Sequence, residues 1–142
     1  IMPSLVGSEM CIRDSAGAVI VSTPQDLALI DARKGLNMFR KVNVPLLGII
    51  ENMSHFLCTE CGARHEIFGN GGARAEAAKL GVPFLGEVPL EMAIRATSDE
   101  GTPIVASQPD SPHAAHYRAI AAAVLQTLER NAPKASPKII VE

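Results

Sequence analysis

The sequence predicts an α/β fold in which helices flank a parallel sheet. Three short, nearly continuous apolar runs indicate strands that are covered on both faces. These runs occupy residues 16–21, 45–50 and 83–88. Segments with helical periodicity separate them, and strands that alternate with helices are typical of parallel sheets with right-handed crossovers. Functional residues of such sheets lie beyond the carboxyl ends of the strands, which here are residues 23–25, 52–54 and 89–91.

The first apolar run leads directly into a predicted helix. Thr23 is placed to act as its N-cap, Pro24 occupies the first helical position, and Asp26 lies near the positive end of the helix dipole. Apolar residues at helical spacing continue as far as Val42. We therefore predict a helix over residues 24–42.

The second apolar run is extended by Glu51 and Asn52 and is followed by a polar segment, residues 54–65. A glycine-rich stretch over residues 69–72 then introduces an alanine-rich helix that ends near Gly81. The stretch resembles a phosphate loop but fits neither G-x-G-x-x-G nor G-x-x-x-x-G-K-[ST]. We expect its glycines to supply unusual backbone angles where the polar segment re-enters a helix.

The remainder of the chain predicts three elements and a tail. They are a helix over residues 91–100, a short fourth strand over 103–106, an amphipathic helix over 112–130 and a loosely held tail over 131–142. Residues 1–15 show neither alternation nor helical periodicity. The predicted domain therefore spans residues 16–130.

Composition narrows the class of protein. The 142 residues are 47% hydrophobic and 20% charged, which is ordinary for a single globular domain. The formal net charge is −2 and the basic residues are scattered, so we expect neither a nucleic-acid nor a membrane partner. No apolar stretch is long enough to span a bilayer. Three cysteines do not fit a disulfide scaffold, and we expect a reducing, cytoplasmic location.

The chemistry that the sequence favours most is metal binding by Cys58 and Cys61. Two thiols separated by two residues can point at one metal, and thiolates suit zinc, copper(I) and iron–sulfur clusters. A closed site usually needs four ligands, which a second copy of the chain could complete across a two-fold axis. His55 and His65 could instead complete a zinc site within one chain, and a redox dithiol without metal is a third interpretation.

A second candidate is Asn52, at the carboxyl end of a buried-type strand. Its carboxamide can both donate to and accept from the edge of a base such as adenine. The alternative is a strand-end Asn that caps the next turn. No G-x-x-x-x-G-K-[ST] motif occurs anywhere in the 142 residues.

Three stretches of the sequence together carry a family resemblance. They are GAVIVSTPQD (17–26) with DARKG (31–35), VPLLGIIENMS (44–54) leading to the cysteine pair and IFG (67–69), and FLGEVPL (84–90) with IR (94–95) and D-x-G-x-P (99–103). This combination resembles the carboxy-terminal half of the Mrp-type (ApbC-type) iron–sulfur cluster carriers. These carriers are P-loop ATPases related to the MinD/ParA group. The resemblance covers about residues 16–130 and implies a partial P-loop NTPase-type sheet without its amino-terminal P-loop strands.

The resemblance also implies a function. Members of the family are homodimers that hold a [4Fe–4S] cluster between subunits and pass it to apo-proteins, with nucleotide binding coupled to the process. Cys58 and Cys61 match the family's cluster ligands, two from each chain. Asn52 matches the residue that contacts the adenine of ATP, and the loop Pro89, Leu90 and Glu91 is implied to lie near the base.

The sequence departs from the family pattern at its beginning. Residues 1–15 do not match the family, and we interpret them as an artefactual segment, so Cys11 is not counted as a ligand. Amide groups and a lysine around the phosphates supply most nucleotide affinity in P-loop proteins. We therefore expect ATP hydrolysis in a full-length protein but not in this chain alone. The alternative functions are a MinD/ParA-like regulatory ATPase and a small zinc-binding interaction module.

Overall fold

A computed structural model describes residues 15–131 of the chain. Five strands are present in this part: β1 (Ala18–Ser22), β2 (Leu46–Asn52), β3 (Phe56–Leu57), β4 (Arg64–His65) and β5 (Phe84–Val88). The helices there are α1 (Asp26–Lys41), α2 (Gly72–Leu80), α3 (Met92–Asp99), α4 (Ile104–Ser107) and α5 (Pro112–Asn131). None of these helices is long and apolar enough to cross a membrane.

The main sheet is parallel and has the order β1-β2-β5. Ser22 pairs with Glu51, and Asn52 pairs with Val88, so the three strands end at a common edge. This arrangement confirms the predicted fold class and the three predicted strands. It also places the loops that follow the strands next to one another.

Helices pack on both faces of the sheet, which explains the apolar runs in its strands. Val21, near the end of β1, is exposed. Successive residues of a strand point to opposite faces. Ile20 and Ile49 therefore pack against α1 and α2 on one face, while Val19 and Ile50 pack toward α5 on the other. Ile49 is only 1% exposed, and full burial of such a side chain contributes roughly 1.5–3 kcal/mol.

The predicted fourth strand over residues 103–106 is wrong. The segment is the single-turn helix α4, in which Ser107 N–H donates to the Pro103 carbonyl at 3.0 Å. The segment is apolar because it packs into the core, where Ile104 is only 3% exposed. Periodicity cannot distinguish a buried strand from a buried helical turn over four residues.

The predicted N-cap of the first helix is also wrong. The helix α1 begins at Asp26, and Gln25 precedes it with an extended backbone and no capping side chain. Leu29 N–H donates to the Gln25 carbonyl at 3.0 Å, so the first helical bond starts two residues after Thr23. The buried Thr23 Oγ1 has no hydrogen-bond partner among the described residues. Asp26 lies in the first turn, as predicted.

Candidate functional site

The polar segment that follows β2 folds into a hairpin, which we call the cysteine hairpin (residues 56–65). Its strands β3 and β4 pair antiparallel, with Phe56 opposite His65. The turn is closed by two backbone bonds of 2.9 Å: Cys58 N–H donates to the Ala63 carbonyl, and Gly62 N–H donates to the Cys58 carbonyl. The sequence does not predict this hairpin, because strands of two residues are too short to show a periodicity.

The turn of the hairpin presents both thiols. Cys58 is half-buried, Cys61 is exposed, and neither is in a disulfide. The backbone N–H of Cys61, followed by that of Glu60, donates to the Cys58 sulfur and lowers the pKa of this thiol below its ordinary value of 9.0. The thiolate is the form that binds metal, so these amides favour the ionisation state that a metal ligand requires.

The two nearby histidines do not join the thiols. His55 is 8% exposed, and its Nδ1 lies 2.9 Å from the Ser54 hydroxyl oxygen. Burial, and secondarily the charge of Arg64, lowers the pKa of His55 below 6.5. The exposed His65 has its ring centroid 6.5 Å from that of Phe56. Within residues 15–131 no three His, Cys, Asp or Glu side chains assemble into a metal site, so the single-chain zinc set is not formed.

The two residues that precede the cysteine hairpin are bonded to the end of β5 and to the loop that follows it. Ser54 N–H donates to the Val88 carbonyl at 3.1 Å, and Leu90 N–H donates to the His55 carbonyl at 2.7 Å. These bonds continue the pairing of β2 with β5 beyond the sheet edge. The predicted base-binding loop, residues 89–91, is therefore held directly beside the hairpin.

The residues predicted to contact a base face different cavities. Asn52 lines a cavity of about 550 Å³ together with β1 and Asp31. Its Oδ1 also accepts from Met53 N–H at 3.0 Å, which is the turn-capping alternative. Leu90 and Glu91 line a separate apolar cleft of about 240 Å³ beside the hairpin. Pro89, which follows β5 directly, is buried. The roles of Asn52, Pro89, Leu90 and Glu91 in binding a base stay predictions.

The end of the segment returns to the sheet at a buried carboxylate. Glu51 is 0% exposed, and its two oxygens accept from Gly71 N–H at 3.0 Å and Ala73 N–H at 2.8 Å. Gly69 and Gly71 have φ values of +88° and +73°, which confirms the predicted role of the glycines. Two of the amides that a phosphate loop would offer, those of Gly71 and Ala73, are thus occupied by Glu51. The sequence did not single out Glu51 as a functional residue.

The fold and the site together define a class, namely an α/β domain with a parallel sheet and a thiol pair on a hairpin that follows one of its strands. The family described as ParA, NUBPL iron-transfer P-loop NTPase, matches residues 6–125. The chain belongs to this family, and the predicted kinship with Mrp-type carriers and the MinD/ParA group is confirmed. The match includes residues 6–15, which sequence analysis assigns outside the family; the proposed domain boundaries stay predictions. Residues 1–14 and 132–142 lie outside the described part of the structure.

Individual relatives agree with this assignment. The chain is 50% identical to the iron-sulfur cluster transfer protein NUBPL of Dictyostelium discoideum over 138 residues, covering 93% of this chain and 43% of the relative. It is 53% identical to an iron-sulfur cluster carrier protein of Salmonella typhimurium over 105 residues, covering 74% of this chain and 28% of the relative. The chain thus spans less than half the length of these relatives.

Solved structures show the same fold. A nucleotide-binding protein from Archaeoglobus fulgidus, in complex with ADP, is 40% identical and has a TM-score of 0.54 over 61% of this chain and 36% of its own. The cell division ATPase MinD of Pyrococcus furiosus has a TM-score of 0.63 at 23% identity, over 80% of this chain and 44% of its own. The second likeness concerns the fold alone.

Proposed function

We propose that this chain is the cluster-binding part of an iron–sulfur cluster carrier. In this proposal two copies hold a [4Fe–4S] cluster as cargo between Cys58 and Cys61 of each chain and deliver it to apo-proteins. The observation that carries the proposal is the thiol pair at the turn of the cysteine hairpin, where Cys61 is exposed and Cys58 is half-buried.

The number of ligands supports a shared site. A [4Fe–4S] cluster is held by four thiolates, whereas the hairpin supplies two and no third ligand joins them in residues 15–131. A two-fold axis through the turn would bring two further thiols from an identical hairpin without any additional sequence. The exposure of the turn leaves room for this approach. The names of the relatives, a cluster transfer protein and a cluster carrier, favour iron–sulfur cargo over zinc.

The proposal includes nucleotide binding because of the family to which the chain belongs. The Archaeoglobus fulgidus relative is in complex with ADP. We propose that Asn52 contacts the base of ATP in a longer protein that contains a P-loop, and that the loop Pro89, Leu90 and Glu91 lies near that base. Hydrolysis belongs to that longer protein. The bonds from residues 54–55 to residues 88–90 would then link the base-binding loop to the cysteine hairpin. A reducing compartment such as the cytoplasm suits the free thiols of the proposed site.

Anaerobic reconstitution of the 142-residue chain with iron and sulfide tests the proposal. We expect absorbance near ~400 nm, about four irons per dimer, and a dimeric mass by light scattering. Cys58→Ser and Cys61→Ser should each lose the absorbance and the iron. Cys11→Ser is the matched control, and it should retain both.

Two outcomes would contradict the proposal. Unchanged iron content in Cys58→Ser would show that the hairpin does not hold the cluster. A monomer with one tightly bound zinc would instead support a small zinc-binding module.

A further inference from the structure

The segment that carries both thiols leaves the sheet after Asn52 and returns at Gly71. One side chain spans these two points. Glu51, the penultimate residue of β2, accepts hydrogen bonds from Gly71 and Ala73 N–H at the start of α2. We propose that Glu51 is a positioning residue for Cys58 and Cys61, an inference that rests on the proposed function of the hairpin.

The cost of burying Glu51 indicates that its place is specific. A carboxylate removed from water is unfavourable unless hydrogen bonds or opposite charges compensate it. None of the ion pairs among residues 15–131 involves Glu51. Its compensation comes from two amides and from the positive end of the α2 dipole. These partners exist only when residue 71 lies beside residue 51, so the carboxylate sets the distance between the two ends of the segment.

Close packing beside the carboxylate makes this return point rigid. Gly72 lies between the two amide donors, and a Cβ added there would lie 2.3 Å from the Pro24 carbonyl oxygen. The start of α2 therefore lies directly against the loop after β1. Because this packing holds α2 and the sheet holds β2, the bond from Glu51 to Gly71 N–H acts on the last residue of the segment between them. Losing that bond loosens the end of the segment at Gly71 rather than the helix. That segment is the one that carries the cysteine hairpin.

Replacing one carboxylate oxygen by an amide group tests the inference. Glu51→Gln puts a donor opposite an N–H donor. Glu76→Gln is the matched control, because Glu76 is also buried on α2 but accepts from the Arg33 guanidinium at 2.5 and 2.8 Å, away from the hairpin. Both variants should unfold at a lower temperature. We expect only Glu51→Gln to release iron faster to a chelator. An increase of up to roughly tenfold is expected, because tenfold is the lower end of the loss seen when a group bonded directly to a metal ligand is removed, and Glu51 acts less directly.

A second variant decides the matter if Glu51→Gln does not fold. Glu51→Asp keeps the charge but is one methylene shorter, and it should release iron faster than Glu76→Gln. Equal release rates in the folded Glu51 variants and in Glu76→Gln would overturn the inference while leaving the proposed function intact. If wild-type chain loads no iron, the proposed function fails, and amide hydrogen exchange of residues 56–65 in metal-free protein decides the role of Glu51. Exchange that is no faster in the Glu51 variants than in Glu76→Gln would overturn the positioning role.

Discussion

Gly72 lies where the start of α2 packs against the loop after β1, and its replacement by alanine should destabilise the fold. A Cβ at this position would lie 2.3 Å from the Pro24 carbonyl oxygen and 3.1 Å from Leu29 Cδ1. The first of these atoms belongs to the backbone and cannot turn away. Either α2 or the loop after β1 must therefore move by about an ångström.

The expected size of the effect follows from two opposed contributions. Overpacking of this kind typically costs about 1–3 kcal/mol, while alanine gains up to about 1 kcal/mol over glycine in a helix interior and less in a first turn. The net loss in the free energy of unfolding is about 1–2 kcal/mol. For a domain of this size that corresponds to a fall of roughly 3–10 °C in Tm.

Thermal and urea unfolding of Gly72→Ala, followed by circular dichroism, measure this loss. Gly35→Ala is the control, because its Cβ would meet only Ile20 Cδ1 at an ordinary 3.9 Å and Gly35 lies inside α1. That variant should gain roughly 0.5–1 kcal/mol from reduced chain entropy. A Gly72→Ala protein as stable as wild type, or a Gly35→Ala protein less stable than it, would refute this account of the packing.

Two further predictions concern pH. The hydrogen bond from Arg33 lowers the pKa of Glu76 below 4.5, so the folded state favours the carboxylate. The free energy of unfolding should therefore decline as the pH falls below 4.5. In Glu76→Gln this decline in the free energy of unfolding should be smaller. Burial lowers the pKa of His55 below 6.5, so as the pH falls the unfolded chain binds a proton at this histidine before the folded chain does. The free energy of unfolding should therefore begin to decline just below pH 6.5. His55→Gln should remove the part of the decline that this histidine causes. Urea titrations at a series of pH values check both, and parallel curves for variant and wild type would contradict either one.

The main sheet could be predicted because its strands are covered on both faces. Burial from two sides leaves a continuous apolar run in the sequence, and β1, β2 and β5 all show one. Residues 103–106 show the same kind of run for a different reason, because Ile104 fills a gap in a single helical turn. Apolar content alone predicts that a segment is buried. It predicts the backbone conformation only when the segment is long enough to show the period of a helix or a strand.

In the candidate site, too, some residues could be predicted from the sequence and others could not. Cys58 and Cys61 could be recognised in the sequence, because a spacing of two residues between thiols is what metal binding by both of them requires. The role of Glu51 is not recognisable, because its partners lie 20 and 22 residues further along the chain and are backbone amides. A charged residue at the end of an apolar strand is the only local signal, and it indicates a buried compensated charge without naming the partner.

The geometry of the thiols bears on why such a site would serve a carrier. A cluster held by four ligands of one chain leaves only when that chain distorts, whereas a cluster shared by two hairpins also leaves when the two chains separate. Separation follows mass action and needs no unfolding of either domain. The two thiols of one chain also differ, since Cys58 is half-buried and bonded by amides while Cys61 is exposed. Under the proposed function an incoming acceptor would therefore reach the Cys61 side of the cluster first, because Cys61 is the more exposed of the two thiols.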